Sequence, residues 1–206
     1  MVKQERAVRT REALIRSAAE VFHQEGFTAA SLTVISSRAG VSNGALHFHF
    51  ASKAVLADAV EDAAAGVLQT IMDRRSSAAS CILQHIVDAT HELACGLRND
   101  AVLRAGFELS GEAGRVPRTD LRLRWKSWVT DMVERAGHSG ELRETVALEG
   151  VASAVVAATV GFEVLGNRDA AWLSRRTVSQ FWLLLLPALT SVSFAGDLEA
   201  GGSSPR

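Results

Sequence analysis

Cysteine is scarce: Cys81 and Cys95 are too few and too far apart for a disulfide framework or a zinc site, and they read as reduced thiols in a core. Long apolar runs are missing too. The longest strongly apolar stretch, Phe181–Leu189, contains Pro187 and falls well short of the about 20 residues that a spanning helix needs. The N-terminus opens on Lys3, Glu5, Arg6, Arg9, Arg11 and Glu12 with no apolar signal core behind them, so a cytoplasmic protein with no membrane segment is expected. There is no Gly-x-Ser-x-Gly elbow, no phosphate-cradling glycine loop and no Cys-His motif, which removes the usual signatures of hydrolases and nucleotide enzymes. Glu108, Glu112 and Glu163 are the carboxylates left for an active site, and on helices such groups are ordinarily solvated. Catalysis is not expected. Sustained period-2 alternation is also absent, so no sheet is expected.

What is present is apolar residue content of 48%, ample for a core, with a net charge of −1. That average hides a division along the chain. Residues 1–53 carry Lys3, Arg6, Arg9, Arg11, Arg16, Arg38 and Lys53 against Glu5, Glu12, Glu20 and Glu25, a balance of +3, and the remainder carries −4. Phosphate neutralisation depends on local charge, so a DNA-binding end is compatible with the acidic whole.

Helical signals follow one another. Leu14, Ala18, Val21 and Phe22 recur at helical spacing from Val8 to Glu25, and Gly26 stops that helix, with Phe27 placed to fold back on Phe22. Ser31 is positioned to cap a short helix through Leu32, Ile35 and Ala39, and Ser42 a third running to about Phe48. Ser52 opens a long helix from Lys53 to about Arg75. The turn Ala39-Gly40-Val41 between two short helices has the form of a helix-turn-helix. Ala45, Leu46 and Phe48 would anchor its second helix, leaving Ser42, Asn43, Gly44 and His47 for a groove. By pattern alone an ordinary helical hairpin in a bundle remains open. A helix this short and polar has little stability of its own, which favours an external partner.

The segment from Ala39 to Lys53 resembles the recognition-helix region of the TetR family of one-component repressors. Gly40-Val41, Gly44-Ala45-Leu46, Phe48-His49-Phe50 and Ser52-Lys53 all stand at the family's spacing, and the match reaches back through Gly26-Phe27. The resemblance implies an all-α homodimer with an N-terminal helix-turn-helix DNA-binding domain, 1–53, and a C-terminal ligand-binding and dimerisation domain, 54–195. It implies double-stranded operator DNA and a small-molecule effector as partners, and no cofactor. Ser42, Asn43, Gly44, His47, His49 and Lys53 are the implied DNA-facing residues, with Lys53 and the start of its helix holding a phosphate.

A second resemblance, through Ala101–Gly106, Trp125 and Val160–Gly166, is to the γ-butyrolactone receptor branch of antibiotic-producing actinomycetes, some of whose divergent members answer to antibiotics. In that branch a Trp at the position of Trp125 lines the signal pocket. Phe107, Thr159 and Phe162 are the further pocket candidates. The sequence departs from the family at three places. Asn43 replaces the usual Lys, which exchanges a guanine-type donor for a side chain suited to adenine. His47 replaces a Tyr. Val34 stands where Glu would complete a capping box, so Ser31 caps alone. A metal reading of His47 and His49 fails on spacing, since two ligands on one helical face stand at i and i+4.

Beyond residue 54 the sequence predicts a helical bundle: Ser80–Leu97, Asp100–Leu109, a loop through Gly111, Gly114 and Pro117, then Leu121–Arg135 bearing the stripe Trp125, Trp128 and Met132. By spacing alone that stripe reads as core rather than ligand lining, and His91 reads as a satisfied core or surface histidine. Leu148–Leu165 and Ala171–Leu189 are more apolar than one buried stripe requires, which predicts a self-complementary interface between protomers. The tail, 196–206, reads as disordered. A ligand-independent, nucleoid-type DNA binder is the alternative, and it would have no use for the aromatic Trp125–Trp128 segment.

Overall fold

The computed structural model describes residues 2–74, 81–190 and 198–203. Among these residues there are nine α-helices and no strand. They are α1 Val2–Ala29, α2 Leu32–Arg38, α3 Asn43–His49, α4 Lys53–Asp73, α5 Ile82–Asn99, α6 Ala101–Ser110, α7 Leu121–His138, α8 Leu148–Gly166 and α9 Arg175–Leu189. A 3-10 turn, Ala170–Leu173, precedes α9.

The chain forms two compact units, one of Met1–Val67 with Asp100–Leu121 and the other of Leu68–Asn99 with Arg122–Arg206. In the first, Leu14, Ala18, Val21 and Phe22 of α1 bury against Ile35, Leu46, Phe50, Leu56 and Val60, with Ala105 and Leu109 of α6 completing the core. Periodicity and burial agree here: the apolar stripe of α1 is the face that α2, α4 and α6 cover. Gly26 kinks α1 at φ 77°, a backbone state open to glycine, and the Phe22 and Phe27 rings meet at 5.7 Å, as expected of the helix stop. Gly106 is the close approach of the unit, since a Cβ there would collide with that of Ala64 and lie 2.7 Å from Leu121 Cδ1.

The second unit is tied by buried polar rungs between helices. Trp125 of α7 donates from Nε1 to Thr159 Oγ1 of α8 at 2.9 Å, and Trp182 of α9 donates to Thr90 Oγ1 of α5 at 2.7 Å. Arg122 forks onto both oxygens of the buried Glu163. The buried Glu141 carboxylate accepts from the Ile82 and Leu83 amides at 3.0 and 2.8 Å, which satisfies orphan donors at the start of α5.

Several expectations are corrected. Ser31 stands at the N-cap of α2, but its side chain makes no capping hydrogen bond, whereas Ser42 and Ser52 accept from Ala45 and Val55 as expected. The helix expected over Ala171–Leu189 is divided at Ser174, whose hydroxyl accepts from the Thr177 amide and restarts the chain as α9. The cysteines are free but not core residues: Cys81 is half-buried and Cys95 exposed. Among the described residues one helix, Leu148–Gly166, is long and apolar enough to cross a membrane by length and composition, although only 28% of its apolar window is buried in the protomer. The apolar-run reading passed over it because Glu149 and small residues interrupt the run while the mean hydropathy stays high.

The tail also differs. Residues 198–203 lie along α5, where Gln84 exchanges hydrogen bonds with the backbone of Glu199, Asp88 accepts from the Ser203 amide at 2.7 Å, and His91 Nε2 meets the Ala200 carbonyl at 3.0 Å. Main-chain groups make these contacts, so composition did not reveal them. The expected ends at Arg75 and Ser80 and the tail residues 196, 197 and 204–206 lie outside the described residues. Burial holds the His91 imidazole below its ordinary value of 6.5. The unfolded chain therefore takes up the proton first as pH falls, and the related stability is complete above about pH 6.5 and lost below it. His91→Gln is expected to flatten the dependence of the denaturant midpoint on pH below about 6.5, and an unchanged slope would assign that dependence elsewhere.

Candidate nucleic-acid interface and effector site

The α3 helix is built to show one face. Gly40, at φ 68°, turns the chain out of α2, and Ser42 then caps α3 by accepting from the Ala45 amide at 3.1 Å. Leu46 and Phe50 bury at 0% and 2% exposure and hold the helix to the core. Ser42, Asn43, Gly44 and His47 are exposed. Phe48 joins them at 83% exposure, which corrects its assignment as an anchor. Two residues beyond Leu46 is about 200° around a helix, so the apolar character of Phe48 conceals its place on the outer face. The half-buried His49 packs edge-on to Phe48 at 5.3 Å and tilts over Phe50 at 6.4 Å.

Lys53 is placed differently from its expected phosphate role. Its ammonium donates to the carbonyls of Thr28 and Ala30 at 2.8 and 3.0 Å and lies 5.0 Å from the Phe27 ring centre. Two of its three protons thus serve orphan carbonyls at the end of α1. Arg38 is likewise engaged, with Gln24 at 3.0 Å and Glu20 at 3.5 Å on α1. Arg11 stacks over Phe50 at 5.3 Å. These contacts brace the helices around α3 and leave Asn43, Gly44, His47 and Phe48 as its unencumbered outer surface.

In the second unit Trp125 and Thr159 are brought together, and Phe162 follows one turn after Thr159 on α8. Trp125 is 0% exposed and stacks on Trp128 at 5.1 Å. Trp128 in turn meets His85 edge-on at 5.3 Å. The buried Phe162 faces Phe181 edge-on at 5.9 Å. Phe107 is buried too, but on α6 within the first unit, so the four candidates do not share one unit. Ser127, near Trp125 in sequence, is exposed. Sequence reading did not single out His85 and Phe181, because the partners of an aromatic stripe come from helices remote in the chain. A shallow depression of about 440 Å³ on α1, lined by Gln4, Glu5, Val8 and Arg9, belongs to one helix and has none of this aromatic lining.

The carboxylates considered for catalysis serve as partners within their units. Glu108 pairs with His23 of α1 at 2.8 Å, Glu112 accepts from Thr28 at 3.4 Å, and Glu163 holds Arg122.

Residues 14–60 match the family model for bacterial regulatory proteins of the tetR family. The A-factor receptor protein of Streptomyces griseus is 31% identical over 210 residues, covering 98% of this chain and 71% of the relative. Among solved structures, a gamma-butyrolactone receptor described as ArpA-like superposes with a TM-score of 0.81 at 26% identity, covering 95% of this chain and 96% of the other. The TetR family protein CprB of Streptomyces coelicolor, in complex with its biological operator sequence, gives a TM-score of 0.77 at 28% identity, with 94% of each chain covered.

Proposed function

Because the chain belongs to the tetR family of bacterial regulatory proteins, we propose that it is a repressor that binds operator DNA as a homodimer and is released by a small effector. The observation that carries the DNA-binding half is the outer face of α3, where Asn43, Gly44, His47 and Phe48 project from a helix anchored by Leu46 and Phe50. Asn43 reads a base edge, Gly44 lets the backbone approach the groove, and Ser42, His47 and His49 hold the phosphate side. Phe48 offers an apolar surface to a thymine methyl group. Lys53 secures the reading head through Thr28 and Ala30 rather than acting chiefly on phosphate. The relatives that match are regulators and receptors, and this cycle of binding and release includes no catalytic step. Its place is the cytoplasm, where the operator is.

Function divides the chain into a reading head, 1–53, and an effector and dimer region, 54–195, although compactness groups α6 with the reading head. Dimerisation is supported by what α8 and α9 leave uncovered. Val164, Leu165, Leu183 and Leu184 are exposed in the protomer, an apolar face that pairing with a second copy buries. The effector, of γ-butyrolactone or antibiotic type, binds against Trp125, Thr159 and Phe162. Pockets of this kind are mostly apolar with few polar anchors. Trp125 and Thr159 already satisfy each other, so an incoming hydroxyl or carbonyl takes over one of these partners. Half-sites lie about 34–36 Å apart, and a shift of a few ångströms per head spoils register. An effector preference of about 100-fold for the released form, roughly 2.7 kcal/mol, suffices.

The test is selection of duplexes from a random pool by the purified protein, followed by band shifts with selected and scrambled DNA. A two-half-site consensus is expected, and recovery of no preferred sequence would sink the reading. Asn43→Lys is expected to change the preferred base at one position per half-site, a discrimination of about 1–3 kcal/mol. Trp125→Ala is expected to keep operator affinity and lose release by extracts of the producing organism's medium. Equal release of variant and wild type would remove Trp125 from the pocket.

A further inference from the structure

The segment leading into α7 is held by a polar cluster that a surface loop does not require. Glu61 of α4 is 0% exposed. Its carboxylate accepts from the Arg115 guanidinium, from the Arg118 amide at 2.9 Å and from the Thr119 amide at 3.3 Å. Arg115, with a side chain only 9% exposed, turns its other nitrogen to Asp58 at 2.7 Å. The guanidinium carbon stands 5.5 Å from the ring centre of Phe27, the ring that Lys53 also approaches. At the end of the same segment the Leu121 amide donates to Ser110 Oγ at 3.1 Å, and Leu121 packs against the gap left by Gly106. All these residues belong to the first unit.

A buried ion pair is weak evidence for stability, because desolvation offsets its attraction and apolar side chains of similar volume do as well. Its distinctive effect is to specify one arrangement. Here the arrangement sets the position of residues 115–121 against α4 and against Phe27, directly after the kink that leads into α2. Leu121 is the first residue of α7, and Trp125 follows one turn later on the same helix. The geometry points to Arg115 as the positioning residue that couples the start of α7 to the reading head, so that a change at Trp125 is felt at Phe27 and α4. This rests on the proposed repressor function and adds the residue through which its two halves communicate.

Coupling between sites is reciprocal, so DNA binding has to perturb Trp125 as the effector perturbs α3, and the test needs no effector. The full-length protein is labelled with fluorotryptophan, and its four indoles are assigned by single Trp→Phe variants. The duplex recovered by selection is then added, with fluorine NMR as the readout. In wild type the Trp125 signal is expected to move on binding. In Glu61→Gln/Arg115→Met, which removes both buried charges together, the movement is expected to vanish while duplex affinity stays within about threefold, a change of well under 1 kcal/mol. Asp58→Asn keeps the buried pair and loosens only the outer arm, so it folds and is expected to shrink the movement. A wild-type movement in both variants, or none in wild type, overturns the role of Arg115. Failure of the wild-type protein to retain any duplex would instead overturn the repressor reading beneath it.

Discussion

Leu184→Arg is expected to turn the dimer into a monomer and to weaken operator binding by at least about 100-fold, the low end of what linking two modest sites confers. Leu184 is 82% exposed and Leu183 62% exposed on α9, positions at which a soluble monomer gains nothing from leucine. Along α8, Ser153, Ala154 and Ala157 are exposed small residues, with Val164 and Leu165 exposed near its end. Small residues let helices approach closely, and the leucines of α9 supply the area. In a two-fold interface the same surface meets itself, so one Arg per protomer introduces two like charges into one apolar patch. An unpaired charge buried there costs several kcal/mol, comparable with the whole margin of many dimers. Such a pairing would also account for the high hydropathy of α8, a helix whose Glu163 is held in an ion pair by Arg122 of α7. Sedimentation velocity and band shifts measure both effects. Val116→Arg is the control, because Val116 is an exposed apolar residue outside α8 and α9, and it is expected to leave the dimer intact. A dimeric Leu184→Arg with unchanged operator affinity would place the interface elsewhere.

Trp182→Ala is expected to cost about 3–5 kcal/mol of folding stability, the range for removing a large buried aromatic side chain. Trp182 is 0% exposed, and its indole packs edge-on to Phe181 at 5.2 Å. Its Nε1–H reaches Thr90 Oγ1 at 2.7 Å, and that hydroxyl donates to the Val87 carbonyl at 2.6 Å. Truncation therefore opens a cavity and removes one member of a buried chain of hydrogen bonds. Domains of this size lose about 2–4 °C per kcal/mol, so the midpoint should fall by roughly 6–20 °C. Trp182→Phe keeps most of the volume and loses only the hydrogen bond, so its cost should be near 1–2 kcal/mol. The comparison of the two by thermal denaturation separates packing from polarity. Equal losses would assign nearly all of the effect to the Thr90 contact.

Most of the secondary structure, and the form of the exposed face of α3, were legible in the amino-acid sequence because their causes are local. The Gly26 kink, the Phe22–Phe27 contact, the Gly40 turn and the Ser42 and Ser52 caps each involve residues no more than a few positions apart. Helical spacing likewise identified the buried stripe of α1 and the exposure of Asn43 and His47. Where a side chain has a choice of partners, sequence stopped short. Lys53 reads as a phosphate ligand until α1 and α4 bring its ammonium to carbonyls 23 and 25 positions away. Phe48 reads as an anchor until Leu46 and Phe50 fix which face of α3 turns inward. The tail reads as disordered until Gln84, Asp88 and His91, 109 to 115 positions away, accept and donate to its backbone. Phe107 follows the same rule: α6 packs on α1, which puts Phe107 in the first unit. Periodicity records how much of a helix must be hidden from water, and by itself determined an all-helical protein with a reading head. Which neighbour does the hiding depends on contacts between residues remote in sequence, and those were decided by the tertiary structure.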